Sequence, residues 1–287
     1  MDRNNSDSQL DKEALPAEEA LPAEEAQRAE KILRVLDRRA PIDSLGALIS
    51  ALSPQEQNVP FERTAISLDT NVFLRIYKEV DVIDYLGQHP APIILPGQAI
   101  QEFWNNQLSV VQTVSKSLGD KFSALKAEIN KTGEAVGDYV QNIQVLVDGL
   151  FGEYGHILDP AAQTGVRTLL SALEGKAVVS YAPRLIFHDI AVHRKMTKTP
   201  PGFKDDGDGD FFVWVDLLTG LLRAKDSGSI FDKIVLVNKD VKPDWSRGGA
   251  AHPILVAEVK ALLGIPFEIW SVERLKSEIG GANAKAG

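Results

Sequence analysis

Four acidic residues stand where an α/β protein would carry a catalytic or metal-binding site. Asp69 ends the apolar run AISL, Asp240 follows the apolar run KIVLV, and Asp210 begins an apolar helical segment. Glu102 lies in the segment QAIQEFWNNQ, directed away from the face formed by its apolar residues, so it faces either a cleft or bulk water. Ligands of open α/β sheets bind at the carboxyl ends of the strands, where Asp69 and Asp240 are expected.

Several carboxylates in one pocket repel each other and raise one another's pKa, so such a cluster needs a cation. Oxygen ligands favour Mg²⁺ or Mn²⁺, and the chain has no cysteine and few histidines for zinc. A hard cation polarises a phosphate and activates a water for attack on phosphorus. The acids therefore favour metal-dependent phosphodiester cleavage.

Four motifs resemble the ordered acidic motifs of the PIN-like nucleases: LDTNVF, IQEFW, PPGFKD with GD shortly after, and VNKDVKPDW. The match is closest to the branch with a helical insertion and a D-x-K-x-D-W element, and it covers about residues 64 to 272. The resemblance implies a three-layer α/β/α, Rossmann-like fold with a central parallel sheet. It also implies a Mg²⁺- or Mn²⁺-dependent endoribonuclease whose substrate is single-stranded RNA.

The resemblance also assigns roles by position. It implies metal-binding and catalytic roles for Asp69, Glu102, Asp210 and Asp240, with Asp205 and Asp244 as additional metal ligands. Four acids, at positions 205, 206, 208 and 210, compete for the third place in the set. Asp210 is preferred because it directly precedes the apolar helix 211–222.

Residues that could hold the nucleic acid lie beside these acids. A local basic stretch supplies candidate phosphate contacts: Arg194, Lys195, Lys198 and Lys204. The alternative for this stretch is a solvated helix face. Trp245 either stacks a base or anchors the core. The resemblance adds Asn71, which would hold the first loop by hydrogen bonding, and Asn238, at a position where the family usually has a small polar residue.

Short apolar runs alternate with helical patterns along most of the chain. Strands are predicted at residues 65–68, 93–95, 233–237 and 266–270, which indicates a parallel sheet covered on both faces. Residues from about 107 to 184 show helical periodicity and predict a helical insertion. It forms either an arm or lid over the core, or a hairpin that covers a sheet edge.

The first sixty residues are predicted to differ from the remainder. Residues 1–25 contain the repeated hexapeptide EALPAE and predict a disordered or loosely helical acidic tail, which either binds a partner or is a solvated leader. Residues 26–60 predict two short amphipathic helices that pack on the main domain or on a partner. The nuclease domain is then expected at 61–287.

Composition excludes several other classes. A net charge of −9 argues against a protein that binds nucleic acid non-specifically over a broad surface. The absence of cysteine excludes disulfides, thiolate zinc sites and a cysteine nucleophile. No glycine-rich phosphate loop is present, and the aspartates near position 206 lack the spacing of a calcium loop. The sequence shows neither a secretory leader nor a membrane-spanning run, so a cytoplasmic protein is expected.

Two other functions remain open at this point. A PIN-like scaffold that binds RNA or protein without cutting is one, although such a scaffold has no need of mutually repelling acids. A structure-specific DNA nuclease is the other, because it uses similar acids. A nuclease that harms its host would also need a neutralising protein partner, which no residue identifies.

Overall fold

The computed structural model describes residues 21–52, 59–108, 161–204, 207–238 and 242–286, with scattered residues between 121 and 145. Five parallel strands form the central sheet in the order β3-β2-β1-β4-β7. Their bounds are β1 Thr64–Leu68, β2 Ile93–Pro96, β3 Ala177–Ser180, β4 Lys233–Val237 and β7 Phe267–Trp270. A small antiparallel ribbon pairs β5 Ser246–Arg247 with β6 Ala250–Ala251.

Helices connect the strands and cover both faces of the sheet. Their bounds are α1 Ala23–Leu36, α2 Ser44–Leu52, α3 Thr70–Ile76, α4 Val80–Gln88, α5 Gly97–Glu102, α6 Ala161–Leu173, α7 Arg184–Met196, α8 Gly209–Asp226, α9 Pro253–Leu263 and α10 Val272–Ala286. A short 3₁₀ turn, Phe61–Arg63, precedes β1, and a π-helical segment, Phe103–Leu108, continues α5.

Every residue of the central strands β1 and β4 is buried, because apolar side chains leave the sheet on both faces. In β1, Ala65 joins one hydrophobic cluster, whereas Ile66 and Leu68 join the other. The first cluster packs α1, α7, α8 and α9, and the second packs α3, α4, α6 and α10. The predicted three-layer α/β/α arrangement with a parallel sheet is therefore confirmed.

The predicted extent of the helical insertion is wrong at its carboxyl-terminal end. Residues Ala177–Ser180 form the edge strand β3, which pairs with β2, and α6 packs in the second cluster. An edge strand of four residues that is only partly buried shows neither a long apolar run nor strict alternation, so periodicity did not reveal it. Most of the remaining predicted insertion lies outside the described residues.

The boundary of the acidic tail also differs from the expectation. Helix α1 begins at Ala23, and its first-turn acids, Glu24 and Glu25, both form ion pairs with Arg28. Arg28 also contacts Asp226 at the end of α8 with a separation of 2.7 Å. These contacts extend the helix into the segment predicted as tail, whose first twenty residues lie outside the described part of the chain.

Candidate active site

The sheet order creates a crevice between the ends of β1 and β4. Strands β2 and β3 follow β1 on one side of it, whereas β4 and β7 lie on its other side, so the order of the strands reverses between β1 and β4. Asp69 follows β1 and Asn238 follows β4, and the N–H of Asp69 donates to the carbonyl of Val237 at 3.1 Å. Ligands of doubly wound sheets bind at such a switch point.

Asp69 is fixed in this crevice by the start of α3. It is the N-cap of that helix, and its Oδ1 accepts a 2.7 Å hydrogen bond from the N–H of Thr70. Asn71 donates from Nδ2 to Oδ2 of Asp69 at 3.3 Å and to Oδ1 of Asn238 at 3.0 Å. Asn71 therefore links the ends of the two strands through side-chain hydrogen bonds.

Glu102 approaches the same crevice from the last residue of α5. Its Oε1 accepts a 2.9 Å hydrogen bond from Nε2 of Gln98, and its Oε2 lies 3.5 Å from the Thr70 hydroxyl. That hydroxyl also donates to the carbonyl of Ala99 at 3.1 Å, which holds α5 against the start of α3. A Cβ on Gly209 would collide with Oε1 of Glu102, so the carboxylate lies against the first residue of α8.

Asp210 follows in the first turn of α8, which places it beside Glu102. Its Oδ2 accepts hydrogen bonds from Nζ of Lys242 at 3.0 Å and from Nε1 of Trp245 at 2.9 Å. Gly202 packs so closely on it that an added Cβ would lie 2.9 Å from the Cβ of Asp210. These contacts fix both the backbone and the carboxylate of Asp210.

The charges of these acids act on one another. Asp69 is only partly exposed, and the desolvation of its carboxylate raises the pKa to about 7, with a smaller contribution from the negative charges of Asp210 and Glu102. The N–H of Thr70 and the ammonium group of Lys242 oppose this shift. Three elements of the fold thus bring three carboxylates within electrostatic range at the carboxyl edge of the sheet.

The donor set suits a hard divalent cation. All the contributing atoms are carboxylate oxygens, which are the ligands that Mg²⁺ prefers. The negative charges of Asp210 and Glu102 add to the desolvation that raises the pKa of Asp69. Within the described residues, no three histidine, aspartate or glutamate side chains are spaced to hold a metal ion together. Asp240 and Asp205, both predicted metal ligands, lie outside those residues, as does Asp206.

Asp244, predicted as an additional metal ligand, makes a structural contact with one of its two carboxylate oxygens. It is fully buried, and its Oδ2 accepts a 2.9 Å hydrogen bond from the N–H of Gly202. Its Oδ1 is also buried and has no hydrogen-bond partner. Asp244 therefore holds the loop that contains Gly202, and this loop packs on Asp210.

Trp245 belongs to the core and does not offer a surface for base stacking. Only 2% of the residue is exposed, and its ring meets that of Trp214 edge to face, with centroids 6.2 Å apart. Its indole N–H points to Asp210. Of the two roles considered for Trp245, the structure supports the core anchor, with the addition that it orients a site carboxylate.

Arg194 is likewise interior, so its predicted contact with substrate is wrong. It is 3% exposed, and its guanidinium group pairs with Glu258 at 2.7 Å and donates to the carbonyl of Pro200. Glu258 also accepts from Arg38 at 2.8 Å and from Nε1 of Trp214 at 2.9 Å. A buried carboxylate requires such partners, and Glu258 connects α7, α8, α9 and the turn that follows α1.

The three predicted lysines lie nearer the surface. Lys198 and Lys204 are exposed, while Lys195 is partly exposed and lies 3.2 Å from Oδ1 of Asp208. Asp208 precedes α8 by one residue, so Lys195 lies close to the helix that carries Asp210. Lys195 therefore borders the site on the α7 side.

Sequence reasoning missed the ion pair that supports Glu102. Asp216, fully buried on α8, accepts two hydrogen bonds from Arg184, at 2.6 and 2.9 Å. Its oxygens also accept from the N–H groups of Ala182, at 2.7 Å, and Gln98, at 2.8 Å. Because Gln98 in turn donates to Glu102, this pair fixes the start of α5 and the carboxylate at its end.

A scan against protein families and searches of curated proteins and of solved structures returned no match for this chain. None of the described helices combines the length and the apolarity that a membrane-spanning segment requires.

Proposed function

We propose that this chain is a divalent-metal-dependent nuclease, most specifically an endoribonuclease that cuts single-stranded RNA. The observation that carries this proposal is the convergence of Asp69, Glu102 and Asp210 at the carboxyl edge of the sheet. They come from three separate elements, so their proximity is a property of the fold. The resemblance to PIN-like nucleases assigns the metal-binding set to these residues and to Asp240.

Within the described residues, Asp69, Glu102 and Asp210 are not spaced to hold a metal ion by themselves, so the proposal needs Asp240 as a fourth ligand. A bound Mg²⁺ or Mn²⁺ would supply a Lewis acid for the phosphate and lower the pKa of an attacking water. Asp69 contributes fully when it is ionised, above its pKa of about 7 in the metal-free protein. Asn71 holds the Asp69 carboxylate, and Gln98 holds that of Glu102. Positions fixed in this way reduce the reorganisation needed during the reaction.

Side chains around the crevice fit a single-stranded polyanion. Lys195 provides positive charge on the α7 side, and the exposed Lys198 and Lys204 follow it in the chain; these three lysines would bind the phosphates that flank the cleaved bond. Trp104 is 70% exposed and follows Glu102 by two residues. An exposed tryptophan can stack an unpaired base, a role that the buried Trp245 cannot fill.

Two alternatives make different predictions. A non-catalytic module would bind RNA or a protein without metal-dependent cutting, and a structure-specific DNA nuclease would prefer branched or flapped DNA. The proposed setting is the cytoplasm, where Mg²⁺ and RNA are both present. A neutralising protein partner would be needed if cleavage is indiscriminate.

Digestion of matched single strands of RNA and DNA would separate these functions. End-labelled strands of identical sequence are incubated with the purified chain in EDTA, Mg²⁺ or Mn²⁺. The proposal expects RNA fragments only when metal is present. Binding without fragments in every condition would favour the module, whereas preferential cutting of flapped DNA would favour the DNA nuclease.

A further inference from the structure

Lys242 places a positive charge among the carboxylates of the candidate site. Its Nζ lies 3.0 Å from Oδ2 of Asp210, and its charge lowers the pKa of Asp69. The lysine therefore interacts with two of the proposed metal ligands. It partly compensates the repulsion between them.

The backbone of Lys242 is held by the turn that follows it. Its carbonyl accepts 2.9 Å hydrogen bonds from the N–H groups of Trp245 and Ser246. The side chain is about one-third exposed, whereas Trp245, the other donor to Asp210, is almost fully buried. Of these two donors, only the lysine can leave the carboxylate without disturbing the core.

We propose that Lys242 and the divalent cation compete for Asp210, an inference that rests on the proposed metal-dependent function. Oδ2 of Asp210 offers about two lone-pair directions, and Lys242 and Trp245 each use one. A divalent ion at either oxygen of this carboxylate would also lie close enough to the ammonium group for strong repulsion. Metal binding therefore displaces the lysine from Asp210.

Once displaced from Asp210, Lys242 can bind a phosphate of the substrate. The ammonium group stays at the edge of the crevice because its backbone is fixed, and there it can donate to a phosphate of the substrate. By linkage, a phosphate that draws Lys242 away from Asp210 strengthens metal binding, and metal strengthens phosphate binding to the same degree. Lys242 thus compensates part of the negative charge until a metal ion replaces it at Asp210.

Calorimetric titration of the metal-free protein with Mn²⁺, without RNA, tests the competition directly. Lys242→Met removes the charge and keeps the length of the side chain, so Mn²⁺ should bind about tenfold more tightly than to wild type. The melting temperature in EDTA should fall, and its increase on adding Mn²⁺ should be larger. Lys195→Met is the matched control, because it removes a lysine paired with Asp208 near the same helix, and its Mn²⁺ affinity should change less than about twofold.

Lys242→Arg provides a variant with the opposite expectation. A guanidinium group can hold a carboxylate through two hydrogen bonds, so Mn²⁺ should bind more weakly than to wild type. Equal or weaker Mn²⁺ binding by Lys242→Met would overturn the competition while leaving the metal site in place. No Mn²⁺ binding by wild type or either variant would instead overturn the proposed metal site, and the competition with it.

Discussion

Trp245 donates its indole N–H to Oδ2 of Asp210 at 2.9 Å from a position in the protein core. The bond connects the packing of the interior to the direction of one carboxylate in the candidate site. The sequence alone would also allow Trp245 at the surface, but in the structure it is buried and orients the Asp210 carboxylate from the core. This arrangement can be tested without changing any acid.

Trp245→Phe should slow cleavage while the protein remains folded. Phenylalanine is smaller and cannot donate to Asp210, so the lost hydrogen bond to a carboxylate and the cavity left in the core should lower the free energy of unfolding by about 2–3 kcal/mol. Cleavage should slow by about tenfold because the carboxylate loses one of its positioning bonds. Trp270→Phe is the matched control, since that buried tryptophan donates to Glu268 at 2.7 Å. It should cost similar stability and leave cleavage unchanged, and an equal loss of activity in both variants would contradict the positioning role.

Gly209→Ala tests the closeness of Glu102 to α8. The added Cβ would collide with Oε1 of Glu102, so the carboxylate should move and both metal affinity and cleavage should fall. Gly280→Ala in α10 is the control, because its Cβ meets no atom within 4 Å and alanine is the better helix former. That control should gain about 0.5–1 kcal/mol of stability and keep full activity. Normal Mn²⁺ affinity in Gly209→Ala would show that the geometry at Glu102 is not required.

The raised pKa of Asp69 predicts a stability difference that depends on pH. Because its folded-state value of about 7 lies above its ordinary value of 3.8, the folded protein binds more protons between these pH values. The stabilisation from this group is therefore complete below its ordinary pKa and is lost as the pH rises through about 7. In EDTA, Asp69→Asn should gain stability over wild type between pH 5 and pH 8, by on the order of 1–2 kcal/mol, since partial exposure screens some of the effect.

Urea unfolding at the two pH values would measure this difference. Asp43→Asn is the contrasting control, because the N–H of Gly46 and the ammonium group of Lys260 hold the pKa of Asp43 below its usual value. Neutralising that exposed carboxylate should therefore give no gain at pH 8. If the difference in the free energy of unfolding between Asp69→Asn and wild type is the same at both pH values, the pKa of Asp69 is not raised in the folded protein.

Loss of the Asp216 carboxylate should destabilise the fold strongly. Asp216→Asn leaves the guanidinium group of Arg184 without its buried partner and weakens the hydrogen bonds to the start of α5. Breaking a buried pair of this kind costs about 3–5 kcal/mol. Arg63→Ala breaks the ion pair with Asp232, in which both side chains are about half exposed, and should cost less than about 1 kcal/mol. Similar small losses in both variants, measured by denaturant unfolding, would contradict a structural role for Asp216.

The sheet could be predicted from sequence wherever a strand is central. The runs AISL and KIVLV are apolar throughout because both faces are covered, and they became β1 and β4. The edge strand AVVS leaves Val179 exposed and is short, so its pattern is indistinguishable from the neighbouring helical segment.

The candidate site could be predicted only in part. Asp69 was found because it ends a recognisable strand, and Asp210 because it precedes an apolar helix. Asp216 could not be found, because an acid within an apolar helix gives no local sign of the arginine that binds it. Lys242 and Trp245 posed the same difficulty, since their contact with Asp210 spans 32 and 35 residues of chain. Such contacts depend on tertiary packing and leave no periodic pattern.

In the proposed function, Asp69 helps to hold the metal ion on which RNA cleavage depends. The most direct measurement is the single-turnover rate of cutting of a labelled single-stranded RNA by wild type and by Asp69→Asn, in Mn²⁺ and in EDTA. Asparagine keeps the acceptor for the Thr70 N–H, so the fold should be preserved while one charge is removed. We expect rapid cutting by wild type in Mn²⁺, none in EDTA, and a rate at least about 100-fold lower in the variant. Equal rates for the two proteins, or cutting that persists in EDTA, would contradict the proposed function.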